Sequence, residues 1–170
     1  MTHETLDPAL SHEAALALKA QIRRLEEHLL EAMAAKPADA VAPLKAADEA
    51  LEELRQQLQA CPDVQLPTLD GIAQGMARLA CDLCRQGACD DLSDESRQAF
   101  IDHYAAELTT VDGIGPVSAR ALFAHGFSDS ARLRQADPEE LDHVSGLGAA
   151  TLARIKQNLF EKNPLEKNNP

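Results

Sequence analysis

The C-terminal third of the chain repeats itself at an offset of 33 residues, and this repeat constrains the fold more than any other feature. Leu108, Val111, Gly113, Ile114, Gly115 and Leu122 return as Leu141, Val144, Gly146, Leu147, Gly148 and Ile155. Each copy predicts a short helix, a Gly-apolar-Gly turn and a second helix. Both glycines of a turn are expected to supply positive φ and close backbone approach, and the apolar residue between them to fill the core between the helices. Gly126-Phe127-Ser128 reads as a helix stop and restart, and 131–136 as a linking helix. Asp137-Pro138-Glu139-Glu140 supplies a cap, a proline at the first helical position and a capping-box glutamate.

Upstream the chain also reads as helical. The first 60 residues hold 15 alanines among Leu, Glu, Gln and Lys, a helix-favouring mixture. Leu18, Ile22, Leu25 and Leu29 draw one apolar stripe, with Ser11 as its cap and Lys36-Pro37 as its stop. A second stripe, Leu44, Ala47, Leu51, Leu54 and Leu58, starts near Pro43 and stops at Cys61-Pro62-Asp63. Two such seams with a short connection predict an antiparallel helical hairpin, closed on itself or recruiting a second copy. Thr68 opens a third helix through Ile72, Met76, Leu79 and Leu83, and 90–94 a fourth through Phe100, Ile101, Tyr104 and Leu108. No stretch alternates like a strand, so the fold class is all-α.

Charge divides the chain in the same place. Of 28 Asp+Glu and 16 Lys+Arg, residues 1–107 carry 20 and 9, and residues 108–170 carry 8 and 7. The net charge of −12 therefore belongs almost wholly to the first part. It excludes that part as a phosphate-coating surface and leaves the near-neutral remainder open to nucleic acid. Residues 8–106 are read as an acidic helical bundle or coiled-coil-like module, 107–160 as the repeat domain and 161–170 as a flexible tail. No run approaches a membrane span and the N-terminus lacks a signal-peptide pattern, so the expected setting is the cytoplasm, without a membrane and with reduced thiols.

The segments Val111-Asp-Gly-Ile-Gly-Pro-Val-Ser-Ala-Arg-Ala-Leu122 and Val144-Ser-Gly-Leu-Gly-Ala-Ala-Thr-Leu-Ala-Arg-Ile155, with Asp137-Pro-Glu-Glu-Leu141 between them, closely resemble the tandem helix-hairpin-helix domain of DNA repair, recombination and ligase proteins. The resemblance implies non-sequence-specific contact with the phosphates of double-stranded or branched DNA. The groups it implies are the backbone amides around Gly113, Ile114, Gly115, Gly146, Leu147 and Gly148. The hydroxyls of Ser118 and Thr151 and the cations Arg120, Arg154 and Lys156 complete the set. Strong DNA binders of the family often carry Lys or Arg two residues after the second glycine, where this chain has Val117 and Ala150. Binding is therefore expected to be weak and steeply salt-sensitive, or to depend on a partner. Acidic repeats of this family also bind protein, so the alternative is a protein-interaction module without DNA.

Cys81-Asp-Leu-Cys84 with Cys89 and Cys61 is the one constellation that could hold zinc or an iron–sulfur cluster, and it forms a third, weaker reading. Its spacing matches no zinc motif well, and the expectation is no cofactor. Asp137, near the place of a glycosylase aspartate, is better explained as the cap before Pro138, and Val117 stands where bifunctional glycosylases carry lysine. With no nucleophile–base set in view, no enzyme is expected. The sequence reading is a DNA-binding adaptor whose N-terminal helices serve a homodimer or a protein partner.

Overall fold

Eight α-helices account for most of the described residues, and no strand occurs among them. The computed structural model describes residues 11–62 and 64–161, so the expected tail lies almost wholly outside them. No helix of the described residues is long and apolar enough to cross a membrane.

Helix α1 (His12–Ala34) begins where the sequence places its cap: the Ser11 hydroxyl oxygen accepts from the Ala14 N–H at 3.1 Å. Two residues later α2 (Pro37–Gln59) begins, with Pro37 in its first turn. This corrects the expected start near Pro43. Proline at the first helical position sacrifices no hydrogen bond, and the alanine-rich turn after it favours helix, so the chain takes the earlier start. Pro43 then lies inside α2, where it withholds one N–H from the ladder. The two helices form the expected antiparallel hairpin. Leu18, Leu25 and Ala32 of α1 are buried with Leu44, Leu51 and Leu54 of α2. Each buried leucine contributes roughly 2 kcal/mol. Arg24 pairs with Glu53 at 3.1 Å on the rim, and Gln21 donates to the same carboxylate.

The chain divides into two compact units, Met1–Ala73 and Gln74–Pro170. The division falls inside α3 (Thr68–Arg85) rather than between 106 and 107. Three contacts tie residues 74–106 to the repeat segment. The Cys81 thiol donates to the Phe123 carbonyl at 3.1 Å, Arg78 pairs with Asp129 at 2.9 Å, and Asp102 of α4 (Asp94–Tyr104) pairs with Arg120. The second unit, which adds the acidic residues 74–107 to the near-neutral 108–170, carries 15 Asp+Glu against 10 Lys+Arg, a net charge of −5.

Within the second unit, α4 is capped by Ser93 and followed by a 3₁₀ turn, Ala106–Thr110, which seats Leu108 in the core. The repeats follow as α5 (Pro116–Ala124), α6 (Ser130–Gln135), α7 (Pro138–Asp142) and α8 (Ala149–Lys156), with a π turn at Gln157–Glu161. Gly126, at φ +96°, ends α5: the Phe127 N–H reaches back to the Leu122 carbonyl and the Gly126 N–H to that of Phe123, both at 3.0 Å. The capping box at α7 forms as expected, with the Asp137 carboxylate accepting from the Glu139 N–H and Glu140 accepting from the Asp137 N–H.

Candidate nucleic-acid interface

The two turns are built alike in one glycine and differ from expectation in the other. Gly113 and Gly146 adopt φ of +93° and +94°, the left-handed conformation that side chains disfavour. Gly115 and Gly148 do not: each is the N-cap of the helix that follows, in extended backbone open to any residue. A Cβ added at either would meet nothing within 4 Å. The need for glycine therefore splits. The first glycine of each turn is required by the fold, whereas the second leaves bare surface over the helix N-terminus. Gly113→Ala should lower the unfolding free energy by about 1–2 kcal/mol in urea denaturation, and Gly115→Ala by less than about 1 kcal/mol.

Reciprocal contacts across the repeat hold the two turns together. A Cβ on Gly113 would lie 2.8 Å from Cδ of Arg154, and one on Gly146 would lie 3.4 Å from Cβ of Ala121. Ala121 and Arg154 are the same position of the repeat, so the second helix of each copy covers the first glycine of the other. His125 and Asn158 are likewise equivalent. The imidazole Nδ1–H of His125 donates to the Ala121 carbonyl at 2.8 Å, so its Nε2 accepts from the Ser145 amide at 3.3 Å. The Asn158 amide donates to the carbonyl of Asp112, the counterpart of Ser145, at 2.7 Å. This is pseudo-two-fold symmetry expressed as paired bonds, and it fixes the spacing of the two turns.

Each turn presents backbone donors. In α5 the first amide bonded within the helix is that of Ala119, which donates to the Gly115 carbonyl; the N–H groups of Val117 and Ser118 have no partner among the described residues. In α8 the first is Leu152, and the amides of Ala149, Ala150 and Thr151 are left open in the same way. Pro116 has no N–H, so the first turn offers fewer donors than the second. The Ile114 amide already donates to the Val111 carbonyl at 3.0 Å, and its side chain is buried as expected. Leu147 is only half-buried, and its amide is open. Ser118 and Thr151 are half-buried in the first turns of α5 and α8.

The cations around these turns are largely committed. Arg120 donates to both carboxylate oxygens of Asp102, at 2.5 and 3.1 Å, and Lys156 pairs with Asp142 at 2.7 Å. Arg154 is exposed, has no ion pair among the described residues, and lays its stem across Gly113. Of the three cations the sequence singles out, it is the one whose charge is unshared.

Asp129, which sequence reasoning missed, organises the centre of this unit. It is fully buried, and its carboxylate accepts from Arg78 at 2.9 and 3.4 Å, from the Ser128 hydroxyl at 2.9 Å and from the Arg132 amide at 2.8 Å as the cap of α6. Burial acts to raise its pKa, but Arg78, the Arg132 amide and Ser128 together outweigh it and hold the carboxyl below its ordinary 3.8. The available signal is Asp129 itself, a capping residue type directly after Gly126-Phe127-Ser128 and before the helix at 131–136.

The cysteines depart from expectation. Cys84 and Cys89 form a disulfide, their Cα atoms 5.3 Å apart, which corrects the reading of four reduced thiols. The turn at Gly87, with φ +92°, carries the chain back far enough for the pair to meet. Burial, helped by Asp82, pushes the Cys81 thiol up to about 11, so it stays protonated and donates to Phe123. The metal reading loses its four-thiolate set to this pairing. No group of three or more His, Cys, Asp and Glu among the described residues is placed to hold a metal ion.

Residues 105–159 match the family model of the SAM-like helix-hairpin-helix tandem. The match covers the C-terminal part, as the repeat implies, and leaves the N-terminal helices unassigned. Domains of this tandem type commonly bind DNA. No solved structure matches the chain.

Proposed function

We propose that this protein is a non-enzymatic adaptor that holds DNA without reading its sequence, through the open amides at the N-termini of α5 and α8. The observation that carries the reading is the pairing of two such termini, each preceded by a glycine with no internal need to be glycine. A phosphate oxygen is the natural acceptor for several N–H groups at the positive end of a helix dipole. Two turns held by reciprocal contacts suit the two backbones of one duplex. The exposed Leu16, Leu30 and Met33 on α1 support a docking role for the N-terminal helices, toward a second copy or a protein partner.

Affinity in this reading rests on amide donors more than on charge, because Arg120 and Lys156 are paired and the unit is acidic. That revises the expected steep salt dependence to a shallow one. Fluorescence-anisotropy titration of the full chain with labelled duplex and branched DNA should give a slope of log K against log salt of about −1 to −2. Arg154→Gln should reduce its magnitude by about 1, and Arg134→Gln should leave it unchanged. A second reading, protein docking without DNA, draws on the exposure of Val117 beside Pro116 at the first turn. Absence of DNA binding at low salt would favour it.

A further inference from the structure

Outside the two turns, the second unit contains a cavity of about 470 Å³ that the DNA reading does not use. Arg85 at the end of α3, Arg132 of α6, His125 after α5 and His143 after α7 line it, with Phe127 and Glu140 also in its wall. Arg85 is exposed, and its guanidinium is turned toward the loop after α5. It lies against the backbone of Gly126, where an added Cβ would meet Nη1 at 3.0 Å. Arg85 has no ion pair among the described residues, and Arg132 has only a distant one, 3.9 Å from Asp82. The ring of His143 has no hydrogen-bond partner among the described residues. Glu140, the one acid of the wall, accepts a hydrogen bond from the Asp137 amide.

The geometry points to a phosphomonoester-binding site in this cavity. Two guanidinium forks and an imidazole present more donors than the two oxygens of a carboxylate can accept, and the three terminal oxygens of a phosphomonoester match them. The volume falls in the range of small-ligand pockets and exceeds what a bare phosphate fills. It leaves room for an organic group against Phe127. Such a phosphate has two sources, a small nucleotide-like molecule or the 5′ end of a nucleic-acid strand. The site does not rest on the amides of the hairpins, and either proposal can fail without the other.

Isothermal titration of the full chain at constant ionic strength tests it, with adenosine 5′-monophosphate, adenosine, and an oligonucleotide bearing or lacking a 5′-phosphate. The monophosphate or the 5′-phosphorylated strand should bind, and its counterpart without that phosphate should bind at least about tenfold more weakly. Binding of the monophosphate alone identifies the small-molecule source, and preference for the phosphorylated strand identifies the strand end. Arg85→Gln and Arg132→Gln should each weaken binding about tenfold. Arg134→Gln makes the same charge change on an exposed position of α6 and should weaken it less than twofold, about the scatter of the measurement. Circular dichroism melts confirm that each variant is folded. Failure of every phosphate-bearing probe to bind, or an equal loss in Arg134→Gln, would overturn the site.

Discussion

Replacing Asp129 with alanine should lower the unfolding free energy of the hairpin unit by about 3 kcal/mol, read from urea denaturation. Loss of the α6 cap accounts for about 1 kcal/mol. Loss of the charge-assisted bonds from Arg78 and the Ser128 hydroxyl accounts for about 2 kcal/mol, since Arg78 is 48% exposed and its freed charge is partly rehydrated. Asp129→Asn keeps an acceptor for the Arg132 amide and should lose about half as much. The pH dependence follows from the depressed carboxyl. A group whose pKa falls on folding contributes its stability above the unfolded value, and that contribution fades as pH drops through the folded one. Wild type and Asp129→Ala should therefore differ most at neutral pH and draw together below about pH 4. A difference that is flat with pH, or one below about 1 kcal/mol at neutrality, would show that the carboxylate is not the organising charge.

The double variant Gly115→Asp, Gly148→Asp should raise stability and abolish DNA binding together. Both positions are N-caps in extended backbone with open space where a side chain would go. Aspartate caps a helix better than glycine by a few tenths of a kcal/mol, and its charge favours the helix N-terminus. The same carboxylate takes up the amides offered to phosphate and repels a second anion. Affinity for duplex DNA should fall at least about tenfold at low salt, the loss of two or more charge-assisted bonds. Gly115→Leu, Gly148→Leu blocks the turns by bulk alone and should give the same loss with unchanged or slightly lower stability. Two substitutions of opposite effect on the helix and the same effect on binding separate the interface from the fold.

The parts of the fold set by local chemistry were legible in the sequence. Ser11, the Asp137 capping box and the positive-φ glycines Gly113 and Gly146 all act within a few residues of themselves, and their pattern states their role. The start of α2 is ambiguous in the sequence because either proline can open a helix without losing a bond. The alanine-rich turn after Pro37 favours the earlier start, which leaves Pro43 inside the helix without an N–H for the ladder. Long-range partners were not legible. Nothing near Arg120 announces Asp102, and nothing near Asp129 announces Arg78, which lies 51 residues away. Those pairings decide which cations remain for DNA, so the residue set was readable while its charge balance was not. The doubled role given to glycine also came apart only in three dimensions, where Gly115 and Gly148 proved to be extended.

The most direct test of the central claim is a map of backbone amide resonances in the full ¹⁵N-labelled chain as unlabelled duplex DNA is added. The account predicts that the largest shifts fall on Val117 and Ser118 of the first turn and on Ala149, Ala150 and Thr151 of the second, at the same DNA concentration. Shifts that spare these five amides, or that move one turn and leave the other unchanged, would contradict it.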